Sequence, residues 1–465
     1  MTKYIALCLG LVAIGACNPN AALRPEARGV VTTIGASSLP QLYIGALNDF
    51  EIAWSGAGDE NNSGHEGHVG LSAIFTDELT AANLDEFSFR RNLDHRIATP
   101  ANPQLAGIFF DLSASRHSSE LAASDFAKFA PKDLGYAEMM ALNGYAYILF
   151  AEMWCSGVPF GELNADGSPN FGFPITTGAM DTIALRKFDS ATALALADTQ
   201  HTVILALSQV GRARVLLDLG FYDAAGAAAD SALATDATLN YQMENSLNSP
   251  RQYNGIYAYV QGNSAWGTVD RKGGNGLDFE SGQDPRILWV DSHLLGSLGV
   301  SQTGLDTVYY DLKYPTRASS ATLASATEAT LISAERDLHD GNIASWAAKL
   351  NGLRAASGLT QTFLDTTATT PTVVVDTIAR PLPPLTADST TLASPDLRIE
   401  VHFRERAFWL WLTGTRLGDL RRLIRQYGHN DYPVNEPGTD IRFPVPVAET
   451  NNPHFTQCLD VANEN

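Results

Sequence analysis

Residues 398–427, RIEVHFRERAFWLWLTGTRLGDLRRLIRQY, constrain the fold more than any other part of the chain. Phe403, Ala407, Leu410, Gly414 and Leu417 recur at steps of four and three, which marks one face of a helix. Between Ala407 and Leu412 every residue is apolar, so this turn, with Trp409 and Trp411 in it, is expected inside the core. Charges crowd both ends: Glu400, Arg404, Glu405 and Arg406 before it, Arg416, Asp419, Arg421 and Arg422 after it. Charges this close to a buried helix persist only when paired and hydrogen-bonded. Glu405, Arg406, Arg416, Asp419 and Arg421 are therefore read as a structural network bracing a C-terminal helix.

The order of these residues carries a resemblance. An E-R pair, an aromatic and leucine run, T-G-x-R-x-x-D-L-R-R and then F-P-V-P-x-x-E-x-N-N-P from Phe443 resemble the C-terminal signature of the SusD/RagB family. Glu405, Arg406, Gly414, Arg416, Asp419, Leu420, Arg421, Phe443, Pro444, Pro446, Glu449, Asn452 and Pro453 carry it. Weaker echoes lie at residues 74–78, at Gly157-Val158-Pro159, at Asp284-Pro285-Arg286 and in the Ala334, Glu335, Gly341, Asn342, Leu350, Asn351, Arg354 set. Members of that family are outer-membrane lipoproteins that capture nutrients, mostly glycans, for a TonB-dependent transporter. The resemblance implies a SusC-like barrel as partner and names no ligand.

The N-terminus fits such a protein. Lys3, the apolar run 4–15 and small residues up to position 16 read as a secretory signal too short to span a bilayer. Ile14-Gly15-Ala16-Cys17 fits a bacterial lipobox, which makes Cys17 the lipidated first residue of a mature protein tethered through 17–40. The resemblance implies the outer membrane, facing the cell exterior, as the location. Without Lys3 the balance is 30 basic against 51 acidic residues, a net charge of −21. Phosphate backbones would be repelled, which argues against nucleic acid as a partner. Cys8 leaves with the signal, so Cys155 and Cys458 remain; beyond the inner membrane an even pair suggests a disulfide, with two buried free thiols as the alternative.

Helical pattern fills most of the remainder. A patch at Leu42, Leu47, Phe50 and Trp54 leads into a Gly/Asn/Asp-rich loop containing His65-Glu66-Gly67-His68, which lacks the i, i+4 histidine pair of a zinc protease. No metal or other cofactor is expected. A helix from about Ala137 is stopped by Ser156-Gly157 and Pro159. Ala213, Leu216, Gly220, Tyr222, Ala225, Ala229 and Ala232 follow tetratricopeptide-repeat spacing, and residues 322–356 repeat that plan around the turn Asp340-Gly341-Asn342. The fold class is therefore mainly α: a tetratricopeptide-like superhelix with a loop-rich second lobe and a few short strands. Its divisions are a signal at 1–16, a tether at 17–40, a helical region at 41–240, an aromatic loop region at 241–320 and a second helical and C-terminal region at 321–465. Residues 360–395 read as a Thr/Pro-rich connector.

The loop region is where a ligand is expected. Trp266, Tyr257 and Tyr259 offer rings for sugar faces, and Asn263, Asp270 and Arg271 offer hydroxyl partners nearby. Asp278 and Glu280 could share a strand face as a carboxylate pair, but no nucleophile elbow, phosphate loop or metal cluster accompanies them. The function implied by the resemblance is capture of an oligosaccharide or other nutrient, without catalysis, and its delivery to a TonB-dependent barrel. The alternative is an envelope interaction module that holds a peptide or protein in its helical groove.

Overall fold

The computed structural model describes residues 35–58, 65–82, 89–164, 168–197, 202–292, 308–355, 359–365, 372–378, 382–386, 392–429 and 435–459. Cys17, the signal and nearly all of the tether lie outside them.

The helices are α1 (Leu39–Ser55), α2 (Gly67–Phe75), α3 (Phe89–Asp94), α4 (Pro103–Phe129), α5 (Leu134–Met153), α6 (Thr177–Ala195), α7 (Thr202–Asp218), α8 (Tyr222–Thr235), α9 (Ala326–His339), α10 (Ile343–Ala355), α11 (Pro395–Trp409) and α12 (Arg416–Tyr427). Local chemistry sets several of their starts. Asn102, Asp133, Thr176, Ser325 and Ser394 each accept a backbone N–H of the first turn, and Pro103 and Pro395 fill positions whose N–H would be orphaned. Packing runs α1–α4–α5–α6–α7–α8–α9–α10, each helix against the next, which is the layering of a helical-repeat superhelix. Its centre is α5, buried around nearly its whole girth. Gly144 of α5 and Gly211 of α7 admit the Phe188 ring of α6; a Cβ there would stand 2.9 and 2.2 Å from that ring. Gly220 and Gly341, at φ 78° and 75°, turn the chain between the paired helices.

The second lobe is built from short strands β1 (Leu79–Ala81), β2 (Asn240–Met243), β3 (Trp266–Thr268), β4 (Trp289–Asp291), β5 (Tyr309–Asp311), β6 (Ala321–Ser325), β7 (Leu359–Asp365) and β8 (Thr372–Ile378). Four form an antiparallel sheet in the order β1-β3-β5-β4, β2 pairs with β6, and β7 pairs with β8 from Leu359↔Ile378 to Asp365↔Thr372. That hairpin corrects the reading of 360–395 as a connector: its Val/Thr-rich arms have the residue types that pair as strands.

The C-terminal stretch departs from one continuous helix. It breaks between α11 and α12, where Leu412 and Gly414 adopt φ 51° and 69°. Groups released by the break are satisfied elsewhere: Glu78 Oε1 accepts Leu412 N–H at 2.7 Å, Tyr314 Oη donates to Leu412 carbonyl at 2.7 Å, and Lys313 donates to the Trp411 carbonyl. Trp411 is buried as expected, but Trp409 is only half-buried.

The charges around the break form the expected network. Glu335 sits at its centre. It accepts from Arg422 at 2.5 and 3.2 Å, from Tyr427 at 2.8 Å and from His402 at 3.2 Å. Asp419 bridges Arg406 and Arg422, each at 2.8 Å. Glu405 holds Arg286 at 2.9 Å and Arg354 at 2.5 Å, while Asp284 grips Arg286 from the other side at 2.7 Å. Arg421 donates to the Ala151, Glu152 and Trp154 carbonyls at 2.8, 2.7 and 3.3 Å, closing the open end of α5. Burial alone would raise the Glu335 carboxyl, but Arg422, His402 and Arg406 outweigh it and hold it well below the usual range.

The chain end is tied to the same place. Phe443 exchanges backbone bonds with Met153 and Cys155 at 2.7 and 2.9 Å and rests edge-on against Phe75 and Trp154. Cys155 and Cys458 are joined in a disulfide that closes a separation of 303 residues. His65 and Glu66 lie outside regular structure as expected, with His65 bonded to Asp111 at 2.8 Å, but Gly67 and His68 open α2; His68 is fully buried there, stacked on Trp54 and bonded to Gly414 carbonyl at 2.9 Å.

Candidate functional site

The second lobe brings together the sequence-marked residues of 241–320, but not in the expected roles. Pairing of β3 with β1 turns Trp266 inward onto α2, where Gly70 leaves room for it; a Cβ on Gly70 would meet the ring at 2.5 Å. Trp266 is fully buried and stacks on Tyr259 at 4.5 Å, itself 3% exposed. Arg90 covers Tyr259 at 5.0 Å and is fixed by Glu66 at 2.6 Å. The expectation of a sugar platform at Trp266 and Tyr259 is therefore wrong: both rings are core.

The polar neighbours are mostly structural as well. Asn263 Oδ1 accepts Ala265 N–H at 3.0 Å. Asp270 Oδ1 accepts Glu280 and Ser281 N–H at 3.1 and 3.0 Å; burial raises this carboxyl, but the bonds from Ser281 and Glu280 together outweigh it and bring it below its ordinary value. Arg271 is exposed at φ 49°, its N–H turned back to the Leu277 carbonyl at 2.9 Å. Asp278 and Glu280 lie in a turn rather than on a strand face. Asp278 is ion-paired with Arg404 at 2.6 Å, while burial, then Asp270, pushes Glu280 up to about 7.

What remains open to a ligand is a half-buried aromatic surface. Tyr253 and Tyr257 flank the Arg317 guanidinium, which lies 5.5 and 5.8 Å from their ring centres. Asn254 fixes this corner, accepting Tyr257 N–H at 2.9 Å and donating to Ser319 carbonyl at 2.8 Å. Gly58 allows the chain to pass Tyr253, since a Cβ would fall 2.3 Å from it. Elsewhere in the lobe Trp289 and Tyr309, on paired strands, meet edge to face at 5.3 Å. Such rings offer apolar faces next to hydrogen-bonding groups, the pairing that a sugar ring requires. Tyr257 is the one ring of the expected set that stays partly exposed. Arg317 lies in no motif; the turn to Ser319 brings it here, and no sequence signal marks it.

No family model matches the sequence, and no curated protein matches it. Solved structures do. A SusD superfamily protein from Parabacteroides distasonis superposes with a TM-score of 0.66 at 14% identity, over 91% of this chain and 99% of that one. A SusD-like carbohydrate-binding protein from Bacteroides fragilis gives 0.64 at 13% identity, over 91% and 99%. A laminarin-binding SusD-like protein gives 0.62 at 14%, over 92% and 100%.

The fold is the one these SusD-like structures share. On this SusD-like scaffold three further concavities are found. Leu39, Tyr43, Phe126, Phe129, Leu134 and Val203 line an apolar cleft of ≈ 880 Å³ between helices. Tyr43 and Glu138 also line a neighbouring polar cleft of ≈ 460 Å³ that contains Glu51 and Glu244. Glu138 joins the two, accepting from Tyr43 at 2.6 Å and Tyr241 at 2.5 Å. Burial pushes Glu51 up to about 9, against weaker pulls from Ser55 and Arg251. The third, of ≈ 400 Å³, lies where β2, β6 and the α11–α12 break meet. Among the described residues no group of three His, Cys, Asp or Glu side chains is placed to hold a metal, and no helix is long and apolar enough to cross a membrane.

Proposed function

We propose that the protein captures an oligosaccharide without chemical change and delivers it to a TonB-dependent outer-membrane transporter of the SusC type. The observation that carries this reading is the SusD-like fold, shared over about nine-tenths of the chain with carbohydrate-binding proteins. The surface of Tyr253, Tyr257 and Arg317, together with the Trp289 and Tyr309 pair, supplies the recognition chemistry. In this reading Cys17 carries acyl chains that hold the protein at the outer membrane, since two or more chains make anchoring stable. A glycan array probed with the soluble Cys17→Ala form tests the ligand class, and copurification of the lipidated protein with a large barrel tests the partner. Absence of glycan binding overturns the first part; a native protein that always purifies alone overturns the second.

The alternative, a peptide held among the helices, is favoured by the ≈ 880 Å³ apolar cleft, whose rim includes the exposed Phe129 and Val203. Competition decides between the two: a peptide library would bind, and Phe129→Ser would weaken it, where glycans do not.

A further inference from the structure

Trp409 departs from its apolar neighbours in the α11–α12 stretch. It is half-buried, and it lines the ≈ 400 Å³ cleft together with Lys313, Thr238, Asn240, Thr322 and Thr413. The ring is held in place from outside the cleft. Its Nε1–H donates to Glu405 at 3.2 Å, and the Arg286 guanidinium, which is not a lining group, lies 5.1 Å from the ring centre. Glu405 is itself fixed by Arg286 and Arg354, so the indole is pre-set rather than free to swing.

The polar groups in the rest of the wall are hydroxyls, an amide and a single amine, set among Ala237, Leu239, Ala326 and Leu410. Thr322 donates to Asn240 Oδ1 at 3.0 Å across the β2–β6 pair, and both residues reach the surface. Lys313 is anchored on the Trp411 carbonyl; burial draws its amine down to about 8, against Glu78 and Asp311, so it stays largely protonated at neutral pH. Among the described residues no carboxylate lines the cleft. An indole face opposite hydroxyls, an amide and one amine suits a polyhydroxylated ring, and the volume falls in the ordinary range of ligand sites.

We propose that this cleft is a second saccharide subsite, with Trp409 as its stacking platform and Asn240, Thr322 and Thr413 as hydroxyl partners. The inference rests on the glycan-capture reading. Lys313 of the cleft and Arg317 of the aromatic surface are four residues apart, which keeps their backbones within about 14 Å. One oligosaccharide can therefore engage both.

The test uses full-length soluble protein labelled with 5-fluorotryptophan and short malto-, laminari-, xylo- and manno-oligosaccharides as probes. Trp409→Phe assigns the Trp409 fluorine signal. With whichever probe binds, that signal shifts saturably at the calorimetric midpoint while those of buried Trp54 and Trp266 stay fixed. The Asn240→Ala/Thr322→Val double variant weakens binding about tenfold at unchanged melting temperature. A Trp409 signal that stays fixed at saturation, with affinity still lost in Tyr257→Ala, removes the second subsite and leaves glycan capture standing. Failure of every probe to bind overturns both.

Discussion

Asp77 and Arg416, 339 residues apart, meet in a two-pronged ion pair at 2.7 and 2.8 Å with both side chains buried. The next residue, Glu78, accepts Leu412 N–H at the break that precedes α12. The early Asp-Glu pair and the late Gly-x-Arg segment thus form one structural unit, and the strain of the left-handed Leu412 is supported by it. Asp77→Ala leaves a buried guanidinium unpaired and is expected to cost about 3–5 kcal/mol; replacing both partners with apolar residues costs less. Urea unfolding of the two variants checks this, and a single-variant loss under about 1 kcal/mol contradicts it.

The buried carboxyls divide into two classes with opposite pH behaviour. In Asp77, Glu335 and Asp419 burial is outweighed by arginine partners and the folded-state pKa is depressed. Their contribution is present above the unfolded carboxylate pKa and is lost as pH falls through the folded value. Glu51 is the reverse: raised from 4.5 to about 9, it contributes fully below about 4.5 and loses that contribution as pH rises toward 9. Glu51→Gln should therefore raise the melting temperature at pH 8 and leave it little changed at pH 4. Equal shifts at the two pH values would contradict the assignment.

The Cys155–Cys458 bond ties the chain end to the segment that follows α5. Cys155→Ser/Cys458→Ser is expected to lose roughly 2–5 kcal/mol. Thiol labelling of the native, unreduced protein should find neither cysteine reactive; two labelled thiols would contradict the bond.

The tryptophans separate by burial. Trp266→Ala and Trp411→Ala each remove a fully enclosed ring and should cost about 3–5 kcal/mol. Trp289→Ala, on a half-buried face, should cost much less and act on affinity instead. Thermal melts alongside binding titrations resolve the two; a stable Trp266→Ala protein would return that ring to the surface.

Burial was legible in the sequence where long apolar periods met charges that needed partners. The Ala407–Leu412 run apart from Trp409, the network around Asp419 and the repeat spacing from Ala213 to Ala232 all follow from local pattern. The break at Leu412 was not, because its bonds come from Glu78, Lys313 and Tyr314, far away in sequence. α4 was equally hard to read: its apolar face is diluted by buried Ser115, Arg116, Ser119 and Asp125. Trp266 misled for a related reason. Its turn-like neighbours, Asn263 to Thr268, suggest exposure, while a three-residue pairing with Leu79–Ala81 decides the opposite.

The central claim, that a sugar binds the Tyr253–Tyr257–Arg317 surface, is tested most directly by calorimetric titration. The soluble Cys17→Ala protein and its Tyr253→Ala/Tyr257→Ala variant are titrated with the strongest oligosaccharide from the array. Saturable binding that falls at least about tenfold in the variant, at unchanged melting temperature, is the predicted result. Equal affinity in the two proteins, or no heat with any oligosaccharide, would contradict it.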